Sequence, residues 1–160
     1  MTLRSARPLR LVQVSDCHVS ADRSVAYRGQ SAERNLASLL PVIRRWRPDL
    51  LLLTGDVSED GSAVSYGRVA SLLSTAGAPV LALPGNHDTT DVMRRYFQLG
   101  PWEGPLHYEA RAWHLVLLDS TEPERISGTL PPARLAEQNP GPSGAAGPAS
   151  SSGHDGLRLD

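Results

Sequence analysis

The chain contains no lysine. All sixteen basic side chains are arginine, and the formal net charge is −1. No overall basic field therefore points to nucleic acid or to a membrane surface. Nor do Arg44, Arg45, Arg47, Arg94 and Arg95 alternate with aromatic rings as a stacking platform for bases would require, so they read as solvated helix faces. Cysteine occurs once, at Cys17, which excludes an intramolecular disulfide and fits a reducing compartment. Apolar runs are short: none approaches the roughly 20 residues of a membrane span. The apolar stretch near the amino terminus is too brief for a signal-peptide core. These absences lead to the expectation of a soluble, cytoplasmic protein with neither a nucleic-acid nor a membrane partner, of open oligomeric state.

What is present suits one domain with its own core, at 160 residues and 40% apolar content. LRLVQVS (9–15), DLLLLT (49–54) and PVLAL (79–83) are short runs bounded by turn residues, and read as buried strands. Between the first two, Leu36, Leu39, Leu40, Ile43 and Trp46 recur at helical spacing behind an N-cap at Ser31; Pro41 is expected to kink this helix and Pro48 to end it. Between the second and third, Tyr66, Val69, Leu72 and Leu73 repeat the pattern, with Gly77 as its stop. The order strand, helix, strand, helix, strand argues for an α/β fold with a parallel sheet and right-handed crossovers, whose functional groups gather beyond the carboxyl ends of the strands.

Downstream, TDVMRRYFQ (90–98) reads as a short helix. LHYEA (106–110) and AWHLVLLDS (112–120), separated by Arg111, read as an antiparallel strand pair. SGTLPPARLAEQ (127–138) reads as the start of another helix. From Asn139 onward 15 of 22 residues are Gly, Pro, Ser or Ala, a composition that cannot build a packed element. Residues 139–160 are thus expected to be a disordered tail, and residues 1–138 the domain portion.

Three strand exits carry chemistry in turn: Asp16, Cys17 and His18; Gly55 and Asp56; Gly85, Asn86, His87 and Asp88. Along an extended chain residues two apart share a face, so Asp16 and His18 can reach one ion while Cys17 points away as a small buried side chain. Oxygen and nitrogen donors without sulfur suit Mn, Fe, Zn or Mg. Any one of these motifs alone would be a turn or a polar strand end; three in order, each behind a predicted parallel strand, imply a metal site. His107 and His114 read instead as packing or edge residues, Asp119 and Ser120 equally as site or turn residues, and Asp88 has no role.

Ser15-Asp16-Cys17-His18, Gly55-Asp56-Val57-Ser58-Glu59-Asp60-Gly61 and Leu83-Pro84-Gly85-Asn86-His87-Asp88 together resemble the calcineurin-like metallophosphoesterases, and in detail the bacterial class III cyclic nucleotide phosphodiesterases. Pro48-Asp49, Ser62 to Tyr66, Leu118-Asp119-Ser120, Gly128-Thr129-Leu130 and Gln138 extend the resemblance over most of residues 9–138. It implies a four-layer sandwich, two sheets flanked by helices, with two divalent ions such as Fe or Mn at the strand ends and a phosphodiester such as a cyclic nucleotide as small-molecule substrate. Carried over by position, Asp16 and His18 hold the first metal, Asp56 bridges, Asn86 holds the second, and His87 is the catalytic histidine. Two such ions activate a shared water as hydroxide, His87 stabilises or protonates the leaving oxygen, and Glu59 or Asp60 could orient His87.

The family pattern continues past Gln138 with a Trp-Leu helix, a histidine at a further strand end and Gly-His-x-His, none of which occurs here; Gly153-His154 in the tail is a coincidental match. The expectation is therefore an incomplete sandwich and a second metal site short of ligands. Two readings stand: a metal-dependent phosphodiesterase, or a truncated or frameshifted fragment that binds metal weakly and has little catalysis.

Overall fold

The computed structural model describes residues 7–99 and 106–130. Its centre is a four-stranded parallel sheet in the order β1-β2-β3-β4, formed by β1 (Leu11–Val14), β2 (Leu50–Thr54), β3 (Val80–Leu83) and β4 (Gln98–Leu99). The run LLLLT of β2 shows why the strands are continuously apolar rather than alternating. Leu51 and Leu53 pack on one face with the helices, whereas Leu50 and Leu52 pack on the other. A parallel sheet covered on both sides needs apolar residues on both.

The first face is covered by α1 (Ala32–Trp46) and α2 (Ala63–Ser74), followed by the single turn α3 (Thr90–Met93). Ser31 and Ser62 cap the two long helices, each accepting from the N–H three residues on. The second face is covered by an antiparallel hairpin of β5 (Leu106–Ala110) and β6 (Trp113–Leu117), turned at Arg111 with φ 60°. Leu106, Tyr108, Leu115 and Leu117 pack there against Leu50, Leu81 and Leu83. Helices, parallel sheet and hairpin are three of the four layers that the resemblance implies.

Several sequence expectations need correction. Leu39 and Trp46 are 49% and 60% exposed: at about 100° per residue they lie on the flank of the face that Leu36, Leu40 and Ile43 bury. Helix α1 contains Pro41 and ends at Trp46, with Arg47 in a left-handed cap directly before Pro48, in keeping with the stop expected there. TDVMRRYFQ is helical only over Thr90–Met93, and its last residue, Gln98, enters a short fourth strand that no run in the sequence announced. Ser127 to Leu130 are irregular, and the remainder of that expected helix, with the tail from Asn139, lies outside the described residues. No helix among the described residues is long and apolar enough to cross a membrane.

Asp88, for which no role was expected, ties the exits of β2 and β3 together. Its carboxylate accepts from the N–H groups of Gly85 (2.8 Å), Ser58 (3.0 Å) and Val57 (3.1 Å), and from the hydroxyl of Tyr66 (3.0 Å). Tyr66 is fully buried on α2 and in turn accepts from Thr89 N–H at 2.7 Å. Burial, then the Asp88 charge, push its phenol well above the usual range, so it remains a donor. Removing the carboxylate strands four donors, each costing about 1–3 kcal/mol where water cannot reach it. Asp88→Ala is therefore expected to lower the unfolding free energy by about 3 kcal/mol in urea titrations. Asp88→Asn should recover less than half, because its amide sets a donor against donors; a loss below about 1 kcal/mol for the alanine variant would refute the clamp.

Candidate metal centre

The exits of β1 and β2 stay paired after the sheet ends. Asp16 N–H donates to Gly55 C=O (3.1 Å), His18 N–H to Asp56 C=O (2.9 Å), Val19 N–H to Val57 C=O (3.3 Å), and Glu59 N–H back to Val19 C=O (3.0 Å). To keep these bonds while turning, the chain enters the left-handed region at Asp16 (φ 55°), His18 (φ 44°) and Asp56 (φ 48°). Such conformations cost non-glycine residues about 1–3 kcal/mol each and gather at functional sites. The expectation that Asp16 and His18 share a face of an extended strand is thus corrected. β1 ends at Val14, and two left-handed residues, not strand alternation, bring the side chains together.

His18 is 3% exposed and held on three sides. Its ring stacks on Tyr27 at 3.8 Å between centroids and 9° between planes. Its Nδ1 lies 2.7 Å from Glu59 Oε2, and this carboxylate contact assigns the proton to Nδ1 and leaves Nε2 as a lone-pair donor. Nε2 stands 3.8 Å from Asp56 Oδ2 and 3.9 Å from Asp16 Oδ1. Both are too long for a hydrogen bond, yet donors about 2.0–2.2 Å from a shared ion are separated by up to about 4 Å. The donor set, two carboxylates and a neutral imidazole with its other nitrogen anchored, fits a divalent cation.

The exit of β3 closes the cluster. Gly85 lies so near Asp56 that a Cβ would come 2.8 Å from Asp56 Cγ, so only glycine lets the two exits approach. His87 N–H donates to Asp56 Oδ1 at 3.1 Å, its Nδ1 is 3.5 Å from Glu59 Oε2, and its ring stands edge-on to that of His18 at 5.0 Å. His18, Asp56 and His87 bring ligand atoms within 4.8 Å of one another, a possible site for one ion. Asn86 is exposed and lines, with Asp16 and Asp56, a cleft of about 240 Å³ over the strand ends.

All five site residues expected from sequence, Asp16, His18, Asp56, Asn86 and His87, therefore meet at one end of the sheet. Glu59 reaches both histidines, more closely His18 than His87, the one it was expected to orient. Asp60 faces elsewhere, accepting from Ala21 N–H, Ser20, Ser58 and Ser62. Burial raises its carboxyl, but the hydrogen bonds from Ala21 and Ser62 outweigh that and hold it well below the usual range. Cys17 is buried, its thiol pushed up to about 12 by burial and then by the charges of Asp88 and Asp16; it stays protonated and is no thiolate donor. His107 and His114 contact each other at 2.9 Å, exposed on the hairpin. Tyr27 and Asp88 were missed: a stacking partner nine residues downstream and a carboxylate bound to backbone leave no periodic or motif signal.

The chain matches the family model described as calcineurin-like phosphoesterase over residues 9–134. It is 36% identical over 125 residues to a probable cyclic nucleotide phosphodiesterase of a Synechococcus species, covering 78% of this chain and 49% of that protein. It is 30% identical over 125 residues to a 3',5'-cyclic-nucleotide phosphodiesterase of a Nostoc species, covering 77% and 47%. To the 3',5'-cyclic adenosine monophosphate phosphodiesterase CpdA of Pseudomonas aeruginosa it is 35% identical over 122 residues, covering 75% and 44%. It thus spans about half the length of the curated relatives it matches. With a family match across four-fifths of its residues, laid over a sheet whose three exits meet at one cluster of ligands, the chain belongs to the calcineurin-like phosphoesterase family.

Proposed function

We propose that the protein is a metal-dependent hydrolase of phosphodiesters, with a cyclic nucleotide as the favoured substrate. The observation that carries this reading is the meeting of His18 Nε2 with Asp16 and Asp56 at 3.9 and 3.8 Å, beside His87 and Asn86. The cyclic nucleotide preference rests on the names of the relatives alone. Asp16 and His18 would hold the first ion, Asp56 would be shared with the second, and Asn86 would serve the second as a neutral donor. Manganese or iron suits this mixture of oxygen and imidazole donors. A pair of divalent ions supplies polarisation of the phosphoryl oxygens and a more acidic water as nucleophile.

The chain's own residues do the rest. Asp56 would have two tasks, since its Oδ1 also accepts from His87 N–H, which fixes His87 beside the carboxylate that the two ions would share. With His87 Nδ1 turned toward Glu59, Nε2 is the nitrogen that carries a proton to the leaving oxygen as charge develops there. Asn86, being neutral, adds no negative charge against an anionic ester. Glu59 keeps the His18 proton on Nδ1, so that Nε2 can act as a ligand.

The full chain loaded with manganese is expected to hydrolyse an aryl phosphodiester. His87→Ala should lower kcat about 100-fold or more while the metal content measured by elemental analysis stays unchanged. Parallel loss of metal and turnover would make His87 a ligand, and a wild-type chain with one loose metal and no turnover would contradict the hydrolase reading. Glu59→Ala is expected to weaken manganese binding about 10- to 100-fold in a competition titration, and Glu59→Gln less, since an amide oxygen still accepts from Nδ1. Unchanged affinity in both variants would show that Glu59 does not set the state of His18.

A further inference from the structure

The cleft over the strand ends has a second wall, formed by residues 120–128, to which the reading above assigns no task. This segment is braced. Asp119 Oδ1 accepts from the N–H (2.9 Å) and hydroxyl (2.6 Å) of Thr121, and Thr129 N–H donates to Ser120 C=O at 2.8 Å. Gly128 packs so closely on Ser120 that a Cβ would come 2.9 Å from its Oγ. Between these ties the chain turns at Glu124 (φ 62°), and Arg125 N–H returns to Glu122 C=O at 3.2 Å. Both ends of the loop are fixed beside the sheet, and Arg125, Ile126 and Ser127 face the cleft.

Arg125 is the one cationic side chain among the described residues that line this cleft, where Asp16 and Asp56 are the acidic ones. Its Nε pairs with Glu122 Oε2 at 3.2 Å, which orients the guanidinium while leaving the side chain 69% exposed. The pairing engages the inner nitrogen, and a guanidinium offers further N–H groups in a planar fork that matches two oxygens of a phosphoryl group. Beside it Ile126 stands 90% exposed, an apolar side chain next to a charged binding element.

We infer that Arg125 is a substrate-binding residue, gripping the non-bridging oxygens of the phosphodiester from the loop wall, and that Ile126 gives the organic part of the ester an apolar surface. This rests on the hydrolase reading for its substrate but on the loop geometry for its residue. The wall contributes binding rather than chemistry, since neither side chain can take up or deliver a proton at neutral pH.

The test titrates inorganic phosphate into the manganese-loaded full chain by calorimetry, alongside Michaelis analysis with an aryl phosphodiester. Arg125→Ala is expected to weaken phosphate binding about tenfold, the worth of one charge-assisted contact, and to raise KM by a similar factor with kcat and metal content little changed. Arg125→Lys should recover part of the affinity, and Ile126→Ser should raise KM for the aryl ester without altering phosphate affinity. Phosphate affinity unaltered by Arg125→Ala, or no phosphate binding by the wild-type chain, would overturn the inference. Arg125-dependent phosphate binding without any turnover would keep the inference and refute the hydrolase reading, whereas turnover independent of Arg125 would do the reverse. Thermal melts of each variant are expected to match the wild-type chain, which separates loss of binding from loss of fold.

Discussion

The carboxylate of Asp88 is the constraint on which the site depends. It sits where two strand exits and one helix meet, and it accepts from the backbone N–H groups of Val57, Ser58 and Gly85 and from a buried phenol. An acceptor with two oxygens and several lone-pair sites is needed to gather four donors, which is why an amide or hydroxyl would not serve. With the Gly85 N–H held in this way, its Cα lies against Asp56, and the two exits approach as closely as backbones can. The spacing of Asp56 from Asn86 and His87 is thus set by a residue that lies behind them rather than among them.

From that anchor the strain at the front of the site becomes intelligible. The paired exits of β1 and β2 must turn sharply to bring Asp16, His18 and Asp56 round, and all three do so with positive φ. Asp and His tolerate this region better than branched residues, yet a cost of the order of 1–3 kcal/mol per residue remains. It is offset by the ladder of backbone bonds from Asp16 to Glu59 and by the packing of Val19 and Val57, both fully buried beneath the loops. A rigid frame under a strained turn holds donors in place before any ligand arrives, which is the condition for a preorganised site.

The sequence disclosed the parts of this arrangement that follow from pattern. Apolar runs such as LLLLT reveal strands buried on both faces, and the Gly-Asp and Gly-Asn-His pairs behind them reveal exits that carry donors. What it withheld depends on contacts between distant segments. The left-handed turns at Asp16 and His18 are imposed by pairing with Gly55 and Asp56, about forty residues away; read alone, that stretch continues a strand. β4 is two residues long and takes its place from β3, too short to leave a period. Leu39 and Trp46 fit the helical repeat as well as Leu36 and Ile43 do, and only the position of the sheet decides which flank is covered. Asp88 was silent because its partners are mostly backbone, which every sequence possesses.

Charge completes the case for a cation at the strand ends. Within the cluster, Asp16, Asp56 and Glu59 surround two imidazoles. Glu59 accepts a hydrogen bond from His18 Nδ1–H, so the neutral ring has no second proton on Nε2 to offer Asp16 or Asp56. Their carboxylates face that nitrogen across 3.8 and 3.9 Å, beyond hydrogen-bond reach. Anions turned toward one point repel one another, and a cation placed among them relieves that repulsion. Because a cation bound by such a set stabilises the folded chain in proportion to its differential affinity, the same residues that strain the loops are those that a divalent ion would hold together. Structure and chemistry at this end of the sheet are therefore a single problem, with Asp88 solving the part that lies behind the site and a divalent ion suited to the part in front of it.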